Sequence, residues 1–536
     1  MLNRREFIDL LGMSTVLAGS APAPAPPLPS ATAVGLNGEA RASGKPGPVP
    51  IAIHPENPKY FLFRGKPLVL VAATEHYGSV VNRRFDFERY LAEAADKKQT
   101  VTRLFLLFRE LQSARNPCSP VKPESPDFVA PWPRTGPGRA MDGEPIYDLD
   151  QWNPEYFDRL HRFLSRASEL GIVVELTVFS NTYADNIWAL NPLHDKNNRQ
   201  GVGNVEWPEY NSLRNKALVD RQEAYARKII QETSTYDNVY YEICNEPGGG
   251  LPNHATTEEV DLWQDHMAHL LRDELRKLGR THLVVGQNAF SYSPEFSQQF
   301  DSSFSGTMLD AVNVHPLPNL VLRGRKYQLG NFMSKELELR NFRDFFLAAH
   351  RERKPCISDE DNAASLYRDE TGWTIHRKRA WMAVLTGAHY DYIDFSITVG
   401  SEAGTEESRR KIRGWMRNLS EFIHSFDFVH SRPLPDWLEI TPDHLASTTL
   451  AVPNADYIAY LADSREVTDP QAGTVLGGSI SFSLPAGRYR ACLYSPVDGG
   501  YSPCLAVEGG KRVTIELPPF RQDIVVRVSR ETQGQG

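Results

Sequence analysis

The chain of 536 residues has no apolar run long enough to cross a bilayer, which takes about 20 residues. The run from Leu10 to Ala18 falls well short. A cationic excess is also missing. Lys and Arg number 59 against 67 Asp and Glu, for a formal charge of -8. Phosphate backbones are gripped by clustered Lys and Arg, so this balance argues against a nucleic-acid partner. Cysteine is scarce. Five is an odd number, so at least one thiol is unpaired. No His/Cys cluster has structural zinc spacing, and neither a metal nor a cofactor is expected. No internal repeat is visible. What the chain does have is a stock of flat apolar surfaces, 9 Trp, 21 Tyr and 25 Phe, most of which should fill a core.

Four cysteines can be placed. Cys244 and Cys356 sit in apolar runs and read as buried small hydrophobes. Cys492 and Cys504 lie twelve apart in a hairpin-like stretch; pairing and free thiols both stay open. At the N-terminus, Asn3-Arg4-Arg5-Glu6-Phe7-Ile8 resembles the twin-arginine export motif. An apolar stretch and small-residue cleavage sites around Ala21-Pro22-Ala23 follow it. Residues 1–49 therefore read as a signal peptide and Pro/Ala-rich linker. The resemblance implies a soluble protein exported to the periplasm or beyond.

From residue 60 to 400, short β-branched or aromatic runs alternate with longer helical patterns, the mark of a parallel βα architecture. Eight strands are expected: 68–73, 101–108, 172–179, 239–244, 282–286, 311–314, 355–358 and 390–395. Among the helices, 85–98 carries Phe85, Tyr90, Leu91 and Ala94 on one face. Segment 156–170 carries Phe157, Leu160, Phe163 and Leu164, and 262–278 carries Leu262, His266, Leu270 and Leu278. Eight such units predict a closed (β/α)8 TIM barrel over 50–431. A doubly wound open sheet is the alternative, but no Gly-rich phosphate loop follows the first strand. The excess length lies in 109–151, 180–210 and 247–259, all after C-terminal strand ends, where such barrels carry their active sites. Beyond 432, short strands separated by Pro/Gly turns predict a small antiparallel β-sandwich over 432–532. Residues 533–536 are expected to be a disordered tail.

The strongest local signal is Val239-Tyr240-Tyr241-Glu242-Ile243-Cys244-Asn245-Glu246-Pro247, an apolar strand that ends on Asn-Glu-Pro. A carboxyl group at the mouth of a low-dielectric barrel suits general-acid work. The motif resembles the strand-four signature of the clan A glycoside hydrolases, cellulase-like barrels of which some carry an appended β-domain. The resemblance implies that Glu246 is the acid/base, that Asn245 contacts the substrate, and that a nucleophilic Glu ends strand seven. In Lys354-Pro355-Cys356-Ile357-Ser358-Asp359-Glu360-Asp361 the matching residue is Glu360. If the strand continues regularly, Asp359 and Asp361 face away from it.

Further positions fit the same pattern. An Arg in the apolar run Val101-Thr102-Arg103-Leu104-Phe105 needs a partner. The clan places an Arg here to keep the nucleophile ionised, with Arg109 as the competing candidate. His315 ends strand six and resembles the clan's His. Strand one ends on Glu75-His76-Tyr77, which would line the pocket floor; a metal pair from Glu75 and His76 is the alternative. Strand eight lacks the clan's usual Trp, so Phe395 or the loop residue Trp188 is expected to substitute. Together these predict a retaining glycoside hydrolase acting on an oligo- or polysaccharide. A non-catalytic, exported carbohydrate-binding barrel is the competing reading.

Overall fold

The computed structural model describes residues 49–74, 78–107, 126–292, 296–329, 336–361, 369–393, 405–442 and 444–531. Glu75, His76, Tyr77, Arg109 and Phe395 lie outside them, as do the signal-like segment and the C-terminal tail.

Eight parallel strands form one sheet, β1 (Val71–Thr74), β2 (Val101–Phe105), β3 (Val173–Ser180), β4 (Val239–Asn245), β5 (Val284–Gly286), β6 (Ala311–Val314), β7 (Cys356–Asp361) and β8 (His389–Ile393). Their spatial order is β1-β8-β7-β6-β5-β4-β3-β2. Thr100 brings the two edges together: its amide donates to Val71 O over 3.1 Å and its hydroxyl accepts from Val71 N over 2.9 Å. Every residue of β2, β3 and β4 is buried, as strands covered on both faces must be. Among the described residues, the helices that alternate with these strands are α1 (Phe87–Asp96), α2 (Pro154–Glu169), α3 (Lys216–Thr233), α4 (Thr257–Lys277), the single-turn α5 (Asp301–Ser305), α6 (Leu339–His350), α7 (Glu370–Leu385) and α8 (Glu406–His424), and a further short helix, Asp185–Trp188, lies in the loop after β3. This is the predicted (β/α)8 barrel.

Local chemistry sets where the helices begin. Asn153 caps α2 ahead of Pro154, a residue whose missing N–H costs nothing in a first turn. Thr256 and Glu259 form a reciprocal capping box on α4. The buried stripe of α4 differs from the expected one. Val260, Trp263, Met267 and Leu271 point inward with Leu270, whereas Leu262 and Leu278 are exposed. Both registers repeat at helical spacing, and the bulkier one takes the core. A cavity of about 310 Å³ lies between α4 and α5, lined among others by Asp261, Gln264, Ser302 and Met308.

Inside the barrel, alternation sorts side chains into layers. Val101, Val173, Tyr240, Ala311 and Ile357 form an apolar floor with Phe61 and Phe63, from an N-terminal three-stranded sheet. Two residues further along each strand lie Arg103, Glu175, Glu242, Asn313 and Asp359, all buried and polar.

The C-terminal region pairs a six-stranded antiparallel sheet with a three-stranded one, the predicted β-sandwich. The larger sheet holds β9 (Leu445–Val452), β10 (Asp456–Asp463), β12 (Arg488–Tyr494), β13 (Leu505–Glu508) and β15 (Asp523–Arg530). The smaller holds β11 (Val475–Ser483) and β14 (Arg512–Arg521). Along β10, Ala459 and Leu461 enter the sandwich core. Ile458, Tyr460 and Ala462 enter the barrel's core instead. The larger sheet is thus buried on both faces and packs on α7, where Trp381 stacks on Tyr460 at 5.5 Å. Cys492 and Cys504 form a disulfide between β12 and the start of β13. Cys244 and Cys356 are buried thiols, as expected.

Candidate active site

Glu246 follows the last residue of β4, and Glu360 lies near the end of β7. Both sit at the C-terminal mouth of the barrel. Each has a left-handed backbone, φ 42° at Glu246 and φ 56° at Glu360. For a residue with a Cβ this conformation costs on the order of 1–3 kcal/mol, and it persists only where the surroundings over-determine it.

At β7 the surroundings are visible. Pairing with β8 slips between Ser358 and Asp361. The slip and the left-handed turn break strict alternation, so Asp359 and Glu360 both face the interior and both touch Arg103. Only Asp361 turns outward. This corrects the expectation that Asp359 would point away from Glu360.

Arg103 is the hub beneath the pair. Its Nη1 donates to Glu360 Oε2 over 2.9 Å. Nη2 donates to Glu242 Oε2 over 2.6 Å and to Asn245 Oδ1 over 2.9 Å. Nε lies 3.0 Å from Asp359 Oδ2 and 3.1 Å from Glu242 Oε2. A planar guanidinium with five N–H groups can serve this many acceptors where an ammonium cannot. Burial alone would lower its pKa, but Asp359, Glu242 and Glu360 outweigh that and hold it well above the ordinary arginine value.

His315, at the end of β6, spans the two carboxylates. Its Nδ1 is 3.1 Å from Glu246 Oε1 and 3.2 Å from Glu360 Oε2. Burial opposes its protonation, yet Glu360 and Glu246 raise its pKa above the usual value. Five carboxyl groups, Glu175, Glu242, Glu246, Asp359 and Glu360, thus gather around Arg103 and His315. Burial pushes Glu175 up to about 7, helped by Glu242. Burial also raises Asp359 well above the carboxylate range despite Arg103. Glu175 accepts hydrogen bonds from Tyr240 Oη over 2.7 Å and Asn313 Nδ2 over 2.6 Å.

Above this layer the loop after β3 supplies residues that sequence reasoning missed. Tyr183 Oη donates to Glu246 Oε2 over 2.7 Å and accepts from Asn245 Nδ2 over 2.7 Å. Asn181 Nδ2 donates to the backbone carbonyl of Glu246 over 3.0 Å and also bonds the Tyr292 hydroxyl. Tyr183 also has a positive φ, 55°. Its place in a loop after a strand end was the available signal. Trp188 is a correction. Its indole is 3% exposed, donates to Val205 O, and packs on Tyr210 and His194. Its faces are taken up by the loop's own core, leaving no platform for a ligand.

Two groupings, Glu242–His315–Asp359 and Glu246–His315–Glu360, place potential metal-ligand atoms within 4.8 Å of one another. In the first, a permanently charged guanidinium already touches both carboxylates. In the second, His315 makes contacts of hydrogen-bond length to both acids.

The fold is a (β/α)8 barrel, with Glu246 and Glu360 at the ends of its fourth and seventh strands above the buried Arg103. Among solved structures, the chain resembles a glycoside hydrolase family 5 protein from Bacteroides vulgatus ATCC 8482. The TM-score is 0.55 at 13% identity, over 90% of this chain and 95% of that one. A second structure, a glycoside hydrolase, aligns with TM-score 0.56 at 12% identity, over 91% of this chain and 98% of that one. At such identities the likeness is one of fold alone. No family profile and no curated protein matches the sequence.

Proposed function

We propose that the chain is a retaining glycoside hydrolase that cleaves O-glycosidic bonds of an oligo- or polysaccharide. The observation that carries this reading is the spacing of the two carboxylates. An oxygen of Glu246 and one of Glu360 lie within 4.8 Å of each other. That suits the ~5–5.5 Å separation of retaining pairs and not the ~6.5–9.5 Å that leaves room for a water in inverting ones.

In the first step, Glu360 Oε attacks the anomeric carbon while Glu246 protonates the departing glycosidic oxygen. A glycosyl ester forms and the C–O bond to the leaving group breaks. In the second step, Glu246 takes a proton from water, whose oxygen displaces Glu360 and restores the original configuration. Arg103 favours the ionised form of Glu360 by charge and hydrogen bonding. Tyr183 and His315 hold the two oxygens of Glu246. The fold shared with glycoside hydrolases supports a carbohydrate as substrate. In this reading Asn245, whose carboxamide accepts from Arg103 and donates to Tyr183, exchanges one of these partners for a sugar hydroxyl.

Export by the twin-arginine route belongs to the same reading. The Cys492–Cys504 disulfide fits an oxidising compartment. Among the described residues, no helix is long and apolar enough to cross a membrane. We take 50–431 as the catalytic region and 432–532 as the sandwich packed on it.

Incubation with a panel of aryl glycosides and oligosaccharides, followed by NMR of the first-formed anomer, tests the mechanism. Retained configuration, and loss of turnover by at least a thousandfold in Glu360→Gln, are expected. Inverted product, or full activity in that variant, refutes the scheme. Binding without cleavage across the panel supports the non-catalytic alternative.

A further inference from the structure

Helix α7 carries three successive cations, Arg377, Lys378 and Arg379, in a stretch where Gly372 through Leu385 are all buried. Three buried cations in one helical turn are expensive unless each is paired, so where they point is informative. Arg377 grips Asp523 of β15 with two 2.8 Å hydrogen bonds, and Asp523 also accepts from Tyr460 Oη. Lys378 Nζ donates to the backbone carbonyl of Asp463 over 3.0 Å. Both of these residues belong to the sandwich. Arg379 turns the other way. Its Nη1 donates to Asp361 Oδ1 over 3.0 Å, and its other nitrogens donate to the carbonyls of Leu329, Glu336 and Leu337. Asp361 Oδ2 accepts from Tyr390 Oη over 2.9 Å.

Asp361 is the immediate neighbour of Glu360 and marks the far end of the slipped pairing between β7 and β8. Glu360 therefore has its left-handed backbone pinned on both sides, by Arg103 through Asp359 and by Arg379 through Asp361. We infer that Arg379 is a positioning residue that keeps Glu360 turned into the barrel, and that the C-terminal sandwich, by anchoring α7 through Arg377 and Lys378, is part of how the active site is built. The inference rests on Glu360 being the nucleophile.

The test compares the full-length Arg379→Lys, Arg379→Met and Asp361→Asn variants with the parent, on whichever aryl glycoside it cleaves. Asp361→Asn is nearly isosteric and guards against a failure of Arg379→Met to fold. Far-ultraviolet circular dichroism and melting select the folded variants. The expected result is a fall in kcat of at least tenfold in Asp361→Asn and Arg379→Met, with KM within threefold. The labelling rate of Glu360 by a 2-deoxy-2-fluoro glycoside should fall in parallel, and Arg379→Lys should recover part of the loss. If the folded variants keep kcat within twofold, or lose activity only in proportion to the unfolded fraction, the positioning role is overturned. Glu360→Ala with added azide separates this from failure of the underlying reading. A glycosyl azide of inverted configuration upholds Glu360 as nucleophile whatever the Arg379 variants do. Its absence, together with labelling at another residue, removes the basis of the inference.

Discussion

Replacing Arg103 by methionine should both unfold the barrel more readily and make that loss depend on pH. The side chain is 1% exposed and contacts Glu242, Asp359, Glu360 and Asn245 at 2.6 to 3.1 Å. Methionine fills similar space but leaves these carboxylates without their cation. Removing one partner of a buried ion pair costs about 3–5 kcal/mol, roughly 4–6 °C in melting temperature for a cooperative unit the size of the barrel. The pH dependence follows from the acids that stay behind. Glu175 and Asp359 already have raised folded-state pKa values with Arg103 present, and without it they rise further. An acid whose folded pKa exceeds its unfolded one contributes stability below the unfolded value and loses it as pH climbs through the folded value. The gap between parent and Arg103→Met should therefore be small near pH 4.5 and largest above pH 7.5. Arg103→Lys should fall between them, since one ammonium can replace only part of the fork. Differential scanning calorimetry across that range measures it. A variant melting within 1 °C of the parent at pH 7.5, or a gap that narrows as pH rises, refutes the reasoning.

Two other outcomes follow, one from this layer and one from the loop above it. With Glu175 raised from 4.5 to about 7, the parent should lose on the order of 3 kcal/mol between these pH values, at about 1.4 kcal/mol per unit. Glu175→Gln, whose single amide oxygen can keep only one of the hydrogen bonds from Tyr240 and Asn313, should abolish most of that slope, as urea titrations at pH 5 and pH 8 will show. Tyr183→Phe deletes the hydroxyl shared by Glu246 and Asn245. A hydrogen bond to a charged group contributes about 1.5–3 kcal/mol, so kcat/KM should drop ten- to a hundredfold with little change in melting temperature. An unchanged kcat/KM would place Tyr183 outside the catalytic arrangement.

Much of the barrel was legible because its strands are continuous apolar runs bounded by helical patterns. Each of the eight appeared where expected, shifted by a few residues at its ends. Arg103 stood out as a charge in such a run. Glu175, Glu242 and Asn313 carried the same signal, polar residues at inward positions of buried strands, but strand-end motifs drew the reading to the mouth and away from the layer below. Strand β9 carries no continuous apolar run because Ser447-Thr448-Thr449 interrupts it, and all three of these polar residues are buried. Trp188 shows a different limit. In a long loop, an aromatic that builds the loop's own core and one that faces a ligand have the same sequence signature; only packing separates them.

The run Asp359-Glu360-Asp361 shows most clearly why spacing alone could not describe the site. Three adjacent acids ordinarily signal a solvated loop, since carboxylates are rarely buried unpaired. Here each is at most 5% exposed, so each must find charge or hydrogen bonds within the protein. The partners come from β2, the end of β6, β8 and α7, and the link from Arg103 to Glu360 crosses 257 positions of sequence. No local pattern encodes a pairing over such a distance. What sequence does show is the cost, three acids at the end of an apolar strand, and that cost is itself informative. Burying them is tolerable only if separate elements deliver cations to one point, and a fold that does so holds the middle acid in a strained backbone that a free loop would relax. The strain at Glu360 and the crowding of its neighbours are therefore one feature, and Arg103 and Arg379 are the two residues whose loss should release it.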